Sequence, residues 1–376
     1  MFNTTLITLF YVLYFGLNSL SQPKTYNFTI EGTSNIEKGT IILELAADSS
    51  LYPEELRNVK TKVVNGKFEI KGNIPHPLAY RISYRDRAYL SELFIIDEGH
   101  QKIVIDTLLN KKVPQISNKI MSHDYQNYLN HFQELTQQYD ALNSKWDSIK
   151  TQTNNKIPKE INTRLNQELK RLYRLTDSTL LTYVIKNPDS YYALWRLAEL
   201  HQFGFESIFF TIFNSFDSTT QNSFSGKNLH QNLLKGNELS IGKKMPKFIV
   251  LSQQNDTLST NFYQEYKYTL VDFWYSNCGP CIAQFKELNE IYTKYHQQGF
   301  QIIGISTDRQ KEKSKWIAAI HKHKLLWPQY WDIDGKESSM FSIQAFPTNL
   351  LIDSTGKIIA KNIKPSELDI FLNKSL

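Results

Sequence analysis

Short runs in which apolar and polar residues alternate fill the first third of the chain. They are Tyr26–Glu31, Thr40–Leu45, Lys60–Val64, Lys67–Lys71, Ala79–Tyr84, Leu90–Ile96 and Lys102–Asp106. A period of two predicts half-buried strands, and Asn65-Gly66 between two such runs is a hairpin signal. These strands predict an antiparallel β-sandwich over residues 22–112, with Arg81, Arg85 and Arg87 as solvent-facing charges. The period then changes. Tyr125, Tyr128, Phe132, Leu135, Tyr139, Leu142, Trp146 and Ile149 recur at steps of three and four, which predicts one long helix with an aromatic core stripe. A second helix, Lys159–Ile185, follows a polar loop, so the two pack as an antiparallel hairpin. Asn187-Pro188-Asp189-Ser190 stops it and caps a third, Tyr191–His201. Residues 113–237 therefore form a helical region. From 238 to 376 strands alternate with helices, which implies a mostly parallel sheet covered on both faces. Its expected strands are Phe248–Leu251, Thr269–Trp274, Gln301–Ser306, Thr348–Asp353 and Lys357–Ala360. Its helices are expected at Cys281–Tyr295, Lys313–His323 and Pro365–Leu372.

The extreme N-terminus departs from all three patterns. Leu6–Leu17 is a 12-residue apolar run followed by Asn-Ser-Leu-Ser-Gln. That length suits the core of a signal peptide and falls short of a membrane span. Residues 1–21 are expected to be a cleaved signal peptide, with Ser19 and Ser21 at the small-residue positions. An uncleaved anchor is the competing reading, because the segment lacks Lys and Arg. Export to a periplasm or cell envelope follows from the first.

Composition narrows the rest. With 41% hydrophobic and 21% charged residues, the 376-residue chain has core enough for two to three domains. A net charge of +6 is mild, and Lys311, Lys313 and Lys315 alternate with Glu312 and Ser314 as a solvated face. No basic stripe interleaved with aromatics points to nucleic acid.

The chemistry is concentrated in Leu270–Cys281. An apolar strand (Leu270, Val271, Phe273, Trp274) runs through Tyr275-Ser276-Asn277 into Cys278-Gly279-Pro280-Cys281. These are the chain's only 2 cysteines. A strand that runs into a helix places Cys278 at the helix N-terminus, where unpaired N–H groups and the helix dipole favour a thiolate. Cys278 is the expected nucleophile. Cys281, one turn later on the same face, is the expected resolving thiol. Pro280 suits a first helical turn. Asp272, alone in an apolar strand, is a candidate base for the Cys281 proton. Zinc would need a second ligand pair, and His321 and His323, two apart, share no helix face.

These residues resemble the thioredoxin superfamily, and the flanking segments resemble its TlpA/ResA-type thiol–disulfide oxidoreductases. Ile241-Gly-Lys-Lys-Met-Pro-Lys-Phe looks like the lead-in hairpin of that branch. Gly299–Asp308 looks like its second core strand, and Ala345-Phe-Pro-Thr-Asn-Leu-Leu-Ile-Asp353 like its cis-proline strand. The resemblance implies a thioredoxin-like C-terminal fold, a cis peptide at Pro347 and a Phe346 backbone that pairs with an extended substrate. It extends the expected substrate contacts to Trp274 and Asn277. Three positions differ. Asn277 stands where the family usually has Trp, Gln284 where Glu is common, and Lys286 where Pro is common. The phrases Phe28–Gly32, Val64–Gly72 and Phe94–Gly99 resemble a β domain of unassigned function that precedes thioredoxin domains in Gram-negative envelope proteins.

The expected activity is thiol–disulfide exchange with envelope proteins, as a reductase and without a cofactor or metal. By resemblance, cytochrome c maturation supplies the substrates and a membrane-embedded thiol reductase the electrons. Two alternatives stand beside it. One is a peroxiredoxin-like thiol peroxidase, which needs a Ser or Thr hydroxyl and an Arg near Cys278. The other is a ligand- or partner-binding protein that works through its β domain.

Overall fold

The computed structural model describes residues 26–46, 52–84, 88–108 and 112–376. The expected signal peptide, and Arg85 and Arg87, lie outside the described residues. The N-terminal strands are β1 (Phe28–Ser34), β2 (Lys38–Leu45), β3 (Asn58–Val64), β4 (Lys67–Gly72), β5 (Leu78–Tyr84), β6 (Tyr89–Leu90), β7 (Phe94–Ile96), β8 (Gly99–Ile105) and β9 (Gln115–Ile116). A short helix, α1 (Glu54–Arg57), precedes β3. Asn65 and Gly66 take positive φ of 50° and 72°, so the β3–β4 hairpin turns through the left-handed pair that its sequence signals.

Hydrogen bonds join these strands into one sheet in the order β6-β5-β2-β3-β4-β1-β8-β9, with β7 beside β5. The β1–β8 pairing is parallel, the one exception among the described strands to the expected antiparallel pattern. Distant segments meet there, so no local turn signal announces the pairing.

The helical region opens with a π-helical turn, Ile120–Asp124, and continues into α2 (Tyr125–Gln152). Then come α3 (Lys159–Lys186), α4 (Tyr191–His201), α5 (Ile208–Asn214), α6 (Ser218–Asn222) and α7 (Phe224–Asn237). The α2–α3 hairpin is antiparallel: Tyr139 Oη meets Thr176 Oγ1, and Lys145 pairs with Glu168. Tyr128, Phe132, Leu135 and Leu142 bury the predicted stripe. Asp124 ties three helices together, because its carboxylate accepts from Tyr183 Oη, Ser190 Oγ and the Tyr192 N–H. One apolar cluster runs from Phe28 to Leu233, so the sheet and the helices share a core. Arg81 is not the free surface charge expected. It pairs with Glu199 of α4 and with Glu92, and Arg196 joins the same group.

The C-terminal domain is a six-stranded sheet in the order β10-β13-β12-β11-β14-β15. Its strands are β10 (Leu251–Ser252), β11 (Tyr268–Trp274), β12 (Phe300–Ser306), β13 (Gln329–Trp331), β14 (Thr348–Asp353) and β15 (Ile358–Lys361). Its helices are α8 (Gly279–Tyr295), α9 (Lys313–His323), α10 (Lys336–Met340) and α11 (Pro365–Ser375). The β11, β12 and β13 strands are parallel, with α8 and α9 as crossovers, and β14–β15 is an antiparallel hairpin. The expected strand Phe248–Leu251 forms ladder bonds only from Leu251. Phe248 and Val250 bury alternately as their pattern implies, but the Ile249 N–H donates to Glu337 instead of to a strand. The molecule is thus a β sheet, a helical region and a thioredoxin-like α/β domain in one chain.

Candidate functional site

β11 sits in the middle of the C-terminal sheet and alternates between two cores. Val271 and Phe273 join the cluster on one face of the sheet. Leu270 and Trp274 join the opposite cluster, which also holds Cys278, Cys281 and Phe285. Asp272, between Leu270 and Trp274, has the same parity and turns its carboxyl to the cysteine side. It is 2% exposed, and its Oδ1 has no hydrogen-bond partner. Burial pushes its pKa up from the ordinary carboxyl value to about 7.

Past Trp274 the chain turns and α8 begins. Cys278 is the N-cap, and the backbone N–H of Cys281 lies 3.2 Å from its Sγ. Pro280 sits in the first turn, where its missing N–H breaks no helical bond. The Cys278 and Cys281 sulfurs form a disulfide, with Cα atoms 5.3 Å apart. Gly279, Pro280 and Asn277 are exposed, whereas both cysteines are buried.

The Phe346–Pro347 peptide is cis. Phe346 is half-buried, and its ring meets that of Tyr275 edge-on at 5.5 Å. An aromatic pair thus spans from the turn before Cys278 to the loop before β14. The Pro347 loop is itself anchored to the helical region. Ser342 Oγ donates to the Asn232 carbonyl of α7 at 3.1 Å, and Gln344 helps line a small cavity with Trp195, His201 and Asn228.

One expected substrate contact is corrected. Trp274 is fully buried, and its indole N–H donates to Gln329 Oε1 at 3.1 Å. It is the floor of the site, beyond a substrate's reach. Gly304 on β12 makes that bond possible: a Cβ there would lie 2.3 Å from Gln329 Oε1. Sequence reasoning gave no role to Tyr275, Ser276, Asp308 or Gln329. A buried polar residue ending an apolar strand was the one available signal, at Asp308.

Among the described residues there is no group of three or more His, Cys, Asp or Glu side chains that suits a metal ion. No helix among them is long and apolar enough to cross a membrane.

The same segment matches known proteins. A profile described as the AhpC/TSA family fits residues 241–361. The thiol–disulfide oxidoreductase ResA of Bacillus cereus is 29% identical over 139 residues, spanning 37% of this chain and 79% of that protein. ResA of Geobacillus thermodenitrificans is 24% identical over 120 residues, spanning 32% and 67%. Among solved structures, the thioredoxin domain of a thiol–disulfide oxidoreductase from Bacteroides vulgatus is 30% identical, with a TM-score of 0.34. That likeness covers 36% of this chain and 98% of that one. A thiol–disulfide oxidoreductase from Bacteroides fragilis is 31% identical with a TM-score of 0.32, covering 36% and 100%.

Proposed function

Because the C-terminal domain belongs to the ResA-like thiol–disulfide oxidoreductases, we propose that the chain reduces disulfides of exported proteins through Cys278 and Cys281. The observation that supports this reading is the disulfide at the N-terminus of α8, with the buried Asp272 carboxyl, its Oδ1 unpaired, on the cysteine side of the adjoining strand. In the reduced enzyme the Cys278 thiolate attacks one sulfur of a substrate disulfide. A mixed disulfide forms, and the other substrate sulfur leaves as a thiolate. Asp272 then takes the Cys281 proton, and the Cys281 thiolate attacks Cys278 Sγ. The Cys278–Cys281 bond forms, the second substrate thiolate leaves, and two electrons have passed to the substrate. Phe346 and Pro347 border the strand on which the substrate lies, with Asn277 at its open end. Gly279 and Pro280 set the spacing of the two sulfurs. No cofactor takes part.

Thiols of c-type cytochrome precursors are the substrate class carried over from the resemblance, and a membrane-embedded thiol reductase is the electron source. An exported location in the periplasm or envelope fits both. The AhpC/TSA match gives the peroxidase reading some support. Against it, Ser276, the hydroxyl nearest Cys278 in sequence, donates to Asp308 at 2.6 Å.

The test is the reduction potential of the pair, by equilibration in thiol/disulfide buffers with thiol trapping. A value near −270 mV, the thioredoxin end of roughly −270 to −120 mV, is expected of a reductase. A value near −120 mV reverses the direction of electron flow. A pair that never cycles but consumes peroxide moves the assignment to the peroxidase.

A further inference from the structure

The turn that launches α8 is held from the neighbouring strand by a group the exchange mechanism does not use. Asp308 follows β12 by two residues and is 3% exposed. Its Oδ2 accepts from the Ser276 backbone N–H at 2.9 Å and from the Ser306 hydroxyl at 2.7 Å. Its Oδ1 accepts from the Ser276 hydroxyl at 2.6 Å. Its carbonyl accepts from the Trp331 indole at 2.7 Å, and the Thr307 N–H donates to the Trp274 carbonyl at 2.9 Å. The turn after β11 and the end of β12 are thereby fastened to the Asp308 carboxylate, and β13 to its backbone carbonyl. Cys278 stands two residues beyond Ser276, with its N–H bonded to the Tyr275 carbonyl at 3.0 Å. Among the described residues no cation forms an ion pair with Asp308. Asp334, whose N–H donates to the Asp308 carbonyl at 3.4 Å, and the buried Asp332, whose N–H donates to the Ser306 carbonyl at 2.8 Å, are the acids next to it, and Asp272 is the acid within β11.

We propose that Asp308 is a positioning residue of the redox centre. Its hydrogen bonds fix the turn Tyr275–Asn277, and its buried charge opposes the thiolate that the α8 N-terminus favours at Cys278. A like charge close to a titrating group disfavours its ionised form. A dithiol whose reduced, thiolate-bearing form is less stabilised is a weaker oxidant. Asp308 thus biases the pair toward reduction of its partners. This rests on the exchange function proposed above and adds the residue that sets its direction.

The test is the pH profile of Cys278 alkylation in the full-length reduced protein, together with its equilibrium with glutathione. Asp308→Asn keeps an acceptor for the Ser276 N–H and removes the charge. It is expected to lower the Cys278 pKa by about one unit. It should also shift the glutathione equilibrium about tenfold toward the dithiol, or ~30 mV. Ser276→Ala retains the charge and is expected to leave both readouts unchanged. Loss of melting temperature in both variants, with pKa and equilibrium unmoved, makes Asp308 a purely structural residue and overturns the proposal. If Asp308→Asn does not fold, the parent profile decides. A Cys278 pKa above the ~3.5–7.5 span of activated cysteines supports the proposal, and one inside that span overturns it. A parent that exchanges with glutathione while Asp308→Asn does not shift defeats this inference alone. A parent that never exchanges defeats the proposed function as well.

Discussion

Asp272 makes activity and stability depend on pH in opposite senses. As the base for Cys281 it must be ionised, so resolution of the mixed disulfide should accelerate as pH rises through about 7. Asp272→Asn should abolish that inflection and slow resolution by roughly 10²–10⁴-fold, read by trapping the mixed disulfide at timed intervals. Folding runs the other way. The folded pKa of about 7 lies above the ordinary value of 3.8, so the folded state holds the proton more tightly. That stability is fully present below pH ~4 and is lost as pH rises through ~7, on the order of 4 kcal/mol. In urea titrations Asp272→Asn should therefore gain on the parent at pH 8 and not at pH 4. Cys281→Ser should leave a long-lived mixed disulfide on Cys278, visible as a thiol-sensitive adduct by mass spectrometry. Loss of the adduct in Cys278→Ser checks which sulfur attacks.

The strands and helices around these residues were legible to unequal degrees. Strand β11, helix α8 and the α2–α3 hairpin are readable because each has an uninterrupted period and a cap or turn residue at its end. The place of the cysteine pair was readable for the same reason: Cys-Gly-Pro-Cys falls where a strand period gives way to a helical one. β13 was not, since Gln329–Trp331 is three residues long and half polar, and its identity as a strand comes wholly from its partners β12 and β10. Helices α5 to α7 were missed because Phe209, Ile212, Phe213 and Phe216 crowd a short span whose breaks are set by Asp217 and Ser223 caps. The mistaken role of Trp274 has a related cause. Sequence position beside a reactive turn does not tell which face of the strand a side chain takes. Asp124 was invisible as a hub, since its donors come from residues 183 to 192. Asp124→Ala would strand those donors at the meeting of α2, α3 and α4. It is expected to destabilise the helical region by about 2–4 kcal/mol, measured by urea unfolding followed at 222 nm.

Taken together, the sheet and the helices behave as a single body. Their apolar residues form one cluster, while the C-terminal domain has two clusters of its own on either face of β11. Calorimetry should therefore resolve two transitions and not three. Ile30→Ala should lower the one that carries both the β-sheet and the helical signals, by about 2–5 kcal/mol, and leave the redox transition in place.

The join between the two bodies is short. Leu233 is buried in the first core and Leu239 in the C-terminal one, and just beyond, the Gly242 N–H is already bonded to the Ile358 carbonyl of β15. Five residues, four of them helical, leave no slack for a leash. A tethered thiol searches a sphere set by its linker length, whereas this one is aimed. Its reach is the surface of its own domain, and on the function proposed above a partner's disulfide comes to it on a strand loose enough to be laid beside Phe346.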